Sequence, residues 1–546
     1  MSKKPWFSIV FLASALVSIT FARNVENAAV TGTVKNASGS VVVGALVTAK
    51  DDARGVSFSV VSQDGGKYTI TDLPAGKYTV WSLGAGFQSD PFTAEVTDGH
   101  KVIADLSQNT PADPKKTASM SAYAALMPEG EAKDFIVGNC TDCHHNGLQE
   151  ILYSRKSLAG WDATIEKMKN HPYGAGRGVR ISDEMKAQVR DYLAANFGTD
   201  SPPLDNDKFP KILYKGQASK VRITEFDLPP DGGSHDVAVD ANGIAWVGEG
   251  GRHAILGRLD PRTLTYTRIP IPGNDPSKPN KGDVDSLQVD SKGHVWSADR
   301  RGSRLLEYDP TSNVFNSFPV PQPQIGETGF NTIRFHPDGS VWATEISGNE
   351  VIRLDPATKK VTEYIPPFGV KPHMTEHLGF IQDTLPYGMV IAKDGMVWFV
   401  EGAGQRIAKI DPQTGKITEY EVPSHSDRMR RMQTDRYGDI WFGEFSTNLL
   451  GVMDPETNKI LEYPMPTKSS GSYSVDVDKG KNLIWVNEML ADQIASFDPR
   501  TKTFVEYPIA THGGSVRRIE LDPSRPTRIW YSAVARDTVG FLDVSK

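Results

Sequence analysis

The sequence predicts a multidomain, mainly β protein: a small β-sandwich, an α-helical module and a seven-bladed β-propeller. Three observations carry the prediction. Seven tryptophans, Trp246, Trp296, Trp342, Trp398, Trp441, Trp485 and Trp530, recur at intervals between 43 and 56 residues, the period of a propeller blade. Two polar stretches, SQNTPADPKKTASMSA and GTDSPPLDNDKFP, cut the 546 residues into three pieces of different texture. The only two cysteines, Cys140 and Cys143, stand three apart in VGNCTDCHHNG, on a helical background between two strand-patterned regions.

The first element is an address. MSKKPWFSIVFLASALVSITFA (1–22) has a basic start, an apolar run and small residues at Thr20 and Ala22, the pattern of a cleaved export signal. Its apolar run is shorter than the roughly 20 residues that span a bilayer, so an exported protein, periplasmic or extracellular, with no membrane span after cleavage is expected. The formal charge of −7 becomes −9 once Lys3 and Lys4 leave, which argues against non-specific nucleic-acid binding. In an oxidising compartment a spare Cys-x-x-Cys pair closes. Something else is therefore expected to occupy those sulfurs.

Residues 29–107 have the strand-and-turn texture of a small all-β domain. VTGTVKNASGSVVVGALVTAKD followed by SQDGGKYTITDLPAGKYTVWSLGAGF resembles the carboxypeptidase regulatory-like family, a β-sandwich with a carbohydrate-binding-like fold. Gly32, Gly44, Gly66, Pro74 and Gly76 read as turn residues, and Tyr68, Tyr78 and Trp81 as core or strand-face residues. The resemblance implies a fold and no chemistry.

A linker (108–121) leads to 122–198, and a second linker (199–220) follows. Cys140, Cys143 and His144 form Cys-x-x-Cys-His, the pattern that attaches c-type haem: two thioether anchors and a proximal iron ligand. A zinc site needs further ligands, and a thioredoxin-like pair needs a βαβ context that is absent. The surrounding helices, EGEAKDFIVGNC and SDEMKAQVRDYLAANF, resemble a class I cytochrome c domain. In LAGWDATIEKMKNHPYGAG, Trp161, Ile165 and Met168 share one helical face, making Met168 the first choice of sixth ligand. His171, Met185 and an open iron are the alternatives.

Residues 221–546 hold the propeller. Each unit has four short strand-like segments: an alternating strand, the Trp strand, a strand ending in Asp-Pro and an outer strand written EY. The last unit ends TVGFLDVSK without an outer strand, while ITEFDLP precedes the first unit. That N-terminal strand is expected to complete the last blade. The repeat, as in PYGMVIAKDGMVWFVEGAGQRIAKID, resembles the streptogramin lyase (virginiamycin B lyase-like) family, which implies an axial site with histidines, a Glu three residues after a repeat Trp, and magnesium. In this chain only His235 with Glu249 matches a His-and-Glu pair, and the family's second histidine is missing. The equivalent inner-strand positions read His235, Asp285, Asn331, Tyr387, Arg430, Tyr473 and Arg517. Such variety predicts a pocket for an anionic or polyhydroxy ligand. An insertion, PFGVKPHMTEHLGFIQDTLP, adds His373, Glu376 and His377 near one mouth.

Two readings follow. One is an exported electron-transfer protein carrying covalent haem c, whose propeller binds a substrate or a redox partner protein, a dehydrogenase or an electron acceptor. The other is a streptogramin lyase-like lyase, or a haem-coupled oxidoreductase, with its active site on the propeller axis. A redox module has no use in an elimination, so its fusion to the propeller favours electron transfer.

Overall fold

The computed structural model describes residues 28–142, 147–169, 181–230, 232–250, 254–273, 284–300, 302–323, 328–346, 348–367 and 384–544. The export signal, Cys143, His144, His171 and the insertion residues His373, Glu376 and His377 lie outside the described residues.

In the propeller region, six units fold as separate antiparallel four-stranded sheets. In four units the two sequence signatures turn out to be one contact. The repeat tryptophan stacks on the aromatic residue of its own outer strand: Trp296 on Phe318, Trp342 on Tyr364, Trp398 on Tyr420 and Trp441 on Tyr463, at centroid distances between 5.1 and 6.0 Å. In four units the indole N–H donates to the aspartate that opens the preceding turn, Trp246 to Asp240, Trp296 to Asp290, Trp441 to Asp435 and Trp530 to Asp522, while Trp342 donates to Ser340 Oγ.

The seventh unit departs from the expectation of seven separate blades. Its strands Val516–Leu521, Arg528–Ala533 and Thr538–Val544 are joined by Val221–Asp227, which pairs antiparallel with Thr538–Val544 in the register Phe226↔Val539. This is the predicted closing strand. Its other edge pairs with Val56–Val61 of the sandwich, Thr224 opposite Phe58. The four strands are thus part of one 13-stranded sheet that runs on into the sandwich, and six sheets stand alone. Phe226, Trp530 and Phe541 share a core with Phe58, Tyr78 and Val80, so apolar burial holds the seam as well as ladder hydrogen bonds.

Within the sandwich, Gly32 sits inside the strand Ala29–Asn36 and not in a turn. A Cβ there would fall 2.0 Å from the Ala104 carbonyl oxygen. Tyr68 of the paired strand Lys67–Ile70 donates its hydroxyl to that same oxygen, which fixes the Ala104 backbone where only glycine at 32 leaves it room.

The middle piece is helical: α1 (Pro114–Thr117), α2 (Met120–Ala124), α3 (Glu131–Asn139), α4 (Gly147–Ser154), α5 (Leu158–Lys169) and α6 (Asp183–Phe197). Ser182 caps α6 by accepting the Met185 N–H. Val189, Leu193 and Phe197 of α6 are buried, and Trp161 of α5 donates to the Phe197 carbonyl at 3.3 Å. The module is docked on the propeller. Ser121 N–H donates to the Leu490 carbonyl at 2.7 Å, and Gly138 lies against Ser446, where a Cβ would be 3.1 Å from the serine Cβ. Among the described residues no helix is long and apolar enough to cross a membrane.

Candidate ligand site at the propeller axis

The innermost strands are Ser234–Val239, Val284–Val289, Phe330–Phe335, Pro386–Ile391, Met429–Thr434, Ser472–Asp478 and Val516–Leu521. In all seven the ladder to the next strand shifts register at the second residue or just beyond it. Those second residues are His235, Asp285, Asn331, Tyr387, Arg430, Tyr473 and Arg517. A bulge at a barrel rim re-aims side chains, so the predicted positions coincide with a shared break in the ladder. The Asp285 side chain lies outside the described atoms.

Three of the seven meet in one cluster. The Arg430 guanidinium carbon lies 5.0 Å from the Tyr387 ring centroid, 5.4 Å from Tyr473 and 5.5 Å from Phe445. The Tyr387 and Tyr473 hydroxyls hydrogen-bond to each other, and Phe445 meets Tyr473 edge-on at 6.0 Å. Arg430 is 3 % exposed. Three π-faces around one cation compensate part of its lost hydration. Phe445 was not singled out from sequence. It directly follows the repeat acid Glu444, a position held by residues as different as Gly250 and Met489 in other units.

One residue further along these strands is a charged plug. Arg431 donates to Asp236 Oδ1 at 2.5 Å and to the Asn331 carbonyl at 3.4 Å, linking the fifth inner strand to the first and third. His235 Nδ1 is 3.2 Å from Asp236 Oδ1, and Arg518 Nη1 is 4.0 Å from Asp236 Oδ2. Arg334 and Arg518 share the Gln288 side-chain oxygen at 3.1 and 3.3 Å. Burial pushes the Asp236 carboxyl up, but Arg431, His235 and Arg518 outweigh it and hold the group below the usual carboxylate range. Burial, with the Arg518 and Arg431 charges, pushes the Arg334 guanidinium down to about 9. Asn331 and His235 border this network, and Arg517 is half-buried on the last inner strand. Because both partners are buried, Asp236→Asn is expected to destabilise the protein by about 3 kcal/mol, as for other broken buried ion pairs. Urea unfolding of the variant checks it.

Glu249 does other work than the sequence assigned to it. Its carboxylate accepts from the Tyr266 hydroxyl at 2.7 Å and from Arg268 Nε at 3.0 Å, and Arg268 Nη2 bonds the second oxygen. The carboxylate is fully buried within the first blade, whereas the Arg268 side chain is 33 % exposed. A carboxylate so engaged does not fit a magnesium ion shared with His235, and no step is derived through one there. The equivalent Asp299 is bonded by Arg304. Glu444 instead takes hydroxyl bonds from Ser424 and Thr447. Burial raises its pKa from 4.5 to about 7 despite those bonds. A raised folded-state value means stability is fully present below about 4.5 and lost as pH rises through about 7, about 3 kcal/mol in all. Glu444→Gln is expected to flatten that part of the melting-temperature profile, measured from pH 4 to 9.

Away from the axis, the ligand atoms of Asp290, His294 and Glu307 lie within 4.8 Å of one another. Asp290 is the turn aspartate of its blade, accepting from Lys292 N–H, His294 N–H and Trp296 Nε1. The group is turn architecture.

On the helical module, Cys140 follows the last residue of α3 and is half-buried, and Met168 lies half-buried near the end of α5. The donor chemistry of Cys140, Cys143, His144 and Met168, two thiols, an imidazole and a thioether, fits a covalently attached haem.

With this geometry in place, two family models match parts of the chain. Residues 29–107 match the Carboxypeptidase regulatory-like domain model, and residues 370–546 match the Virginiamycin B lyase family model. The helical stretch 122–198 lies outside both matches. Among solved structures, selenomethionine-substituted virginiamycin B lyase from Staphylococcus aureus is similar at 22 % identity and a TM-score of 0.51, over 60 % of this chain and 100 % of that one. A streptogramin B lyase is similar at 22 % identity and a TM-score of 0.52, over 61 % of this chain and 100 % of that one. The catalytically inactive Staphylococcus aureus virginiamycin B lyase solved with quinupristin is similar at 20 % identity and a TM-score of 0.51, over 60 % and 100 %. At these identities the likeness defines the fold. No curated protein matches the chain.

Proposed function

We propose that this protein is an exported haem-coupled oxidoreductase whose ligand site is the Tyr387, Arg430, Tyr473 and Phe445 cluster at the propeller axis. One observation carries the reading. Helix α3, which leads into Cys140, packs through Gly138 on Ser446, the neighbour of Phe445, so the end of α3 and the axial cluster share a wall. Haem c, held by Cys140, Cys143, His144 and Met168, supplies one-electron acceptance when bound. The chain's own residues do the rest. Arg430, set among the Tyr387, Tyr473 and Phe445 rings, supplies the positive charge that draws a carboxylate or phosphate. Arg517 and His235 add charge and hydrogen bonding at neighbouring positions. The seven-fold arrangement of inner-strand starts belongs to the same proposal, with the seventh set counted as a blade fused to the sandwich. A redox partner protein, reached after export, would take the electrons onward.

Arg430→Gln is expected to weaken binding of hydroxy acids or sugar acids at least tenfold in equilibrium dialysis, with the parent's affinity falling as salt rises. Unchanged binding would reject the site. The Virginiamycin B lyase match over 370–546 favours a second reading, elimination at the axis. Loss of quinupristin on incubation with magnesium and no electron acceptor would support that reading over the first.

A further inference from the structure

The acid three residues after the repeat tryptophan is buried at the end of the second strand, and its neutralisation differs from blade to blade. In the second blade Asp299 is bonded by Arg304, the first residue of the third strand. In the fourth blade that strand again opens with an arginine, Arg406. In the third blade it opens with Glu350, directly opposite Glu345 in the ladder. A position that holds an arginine in both neighbouring blades, bonding the buried acid in the second and Glu421 in the fourth, holds a second anion here.

Both carboxyl groups are 0 % exposed, and none of their four oxygens has a hydrogen-bond partner among the described residues. Glu363 on the outer strand adds a third negative charge to their surroundings, and burial together with these neighbours pushes Glu345 up to about 9 and Glu350 up to about 7. Two bare carboxylates are not stable in such a place. Protons alone would remove the charge but leave O–H donors and carbonyl acceptors unmatched, because the two groups make no hydrogen bond to each other. An oxygen-seeking cation answers both the charge and the lone pairs.

The hairpin is held ready for one. Asn349, buried and at φ +59°, accepts at Oδ1 from Thr384 N–H at 2.7 Å, Thr384 Oγ1 at 2.8 Å and Leu385 N–H at 3.2 Å. A Cβ on Gly348 would fall 2.8 Å from Glu345 Oε2, so glycine leaves the carboxylate its space.

We propose that the third blade binds one hard divalent cation, calcium or magnesium, between Glu345 and Glu350. The ion takes the place that Arg304 holds beside Asp299 in the second blade, completes its coordination with water, and locks the hairpin between the second and third strands. This site lies one strand away from the axial positions and does not depend on the ligand that binds there.

The test uses the full-length protein. Metal content is measured by atomic emission as purified, then melting temperature is recorded after chelation and after adding back calcium or magnesium, with manganese binding followed by electron paramagnetic resonance. One tight ion per chain and a melting temperature that falls on chelation and recovers on addition are expected. Glu345→Gln with Glu350→Gln should abolish tight manganese binding. Glu350→Arg should melt like the cation-loaded parent with or without chelator, which keeps the proposal testable if the double variant folds poorly. A parent that holds no ion and melts identically with and without cations overturns the proposal, as does a stability that tracks pH alone. Tight manganese binding that survives in the double variant also overturns it, and would direct attention to Asp290, His294 and Glu307.

Discussion

Replacing Cys140 and Cys143 together by alanine is expected to convert all tightly held haem to extractable haem. In the parent, haem should stay with the polypeptide through denaturation and acid-acetone extraction, because thioether bonds survive where axial ligation does not. The single variants should each keep one bond and an intermediate phenotype. Met168→Ala should leave attachment intact while lowering the reduction potential, since a thioether ligand favours ferrous iron. The readouts are haem absorbance of the denatured chain and the potential of the native one. Extractable haem in the parent would reject covalent attachment.

Deleting 221–227 is expected to be the most destructive change to the fold. The strand is central in its sheet: one edge pairs with Thr538–Val544 and the other with Val56–Val61. Its loss removes Phe226 from a shared core and the Glu225 carboxylate from Tyr531 and Thr511. It also bares two strand edges at once, on the last unit and on the sandwich, and bare edges recruit other chains. Loss of a cooperative melt and concentration-dependent aggregation by light scattering are the expected outcomes. A truncated protein that melts like the parent would mean that the ring closes without this strand.

Much of the architecture was legible because it rests on side chains that repeat. Tryptophan and the outer-strand aromatic announce each other, and the absent last strand of the seventh unit points to ITEFDLP. The join between Val221–Asp227 and the sandwich was not legible. It is made by backbone groups of residues more than 160 positions apart, and main-chain hydrogen bonds leave no residue-specific mark. That join is why six sheets stand alone where seven were expected. For the axial site, the positions were readable from the equivalence of the inner strands, whereas their division of labour was not. Arg430 and Arg431 are adjacent, yet the bulge sends one into an aromatic cage and the other into an ion pair with Asp236. Glu249 looked catalytic because its partners, Tyr266 and Arg268, lie in an outer strand whose residues vary between blades. Gly138 gave no sign of docking, since a glycine within a helix reads as a weak spot until Ser446 is seen against it.

Coupling between the axial cluster and the Cys-x-x-Cys-His segment is tested most directly by anaerobic addition of hydroxy acids and sugar acids to the oxidised, haem-loaded protein. Haem absorbance is followed in the parent, in Arg430→Gln and in Gly138→Leu, the last forcing α3 away from Ser446. Substrate-dependent reduction is expected in the parent, slowed at least tenfold in both variants while their haem content is unchanged. Reduction that proceeds equally in Arg430→Gln, or turnover of the added compound with no change in haem absorbance, would contradict a haem-coupled site at the axis.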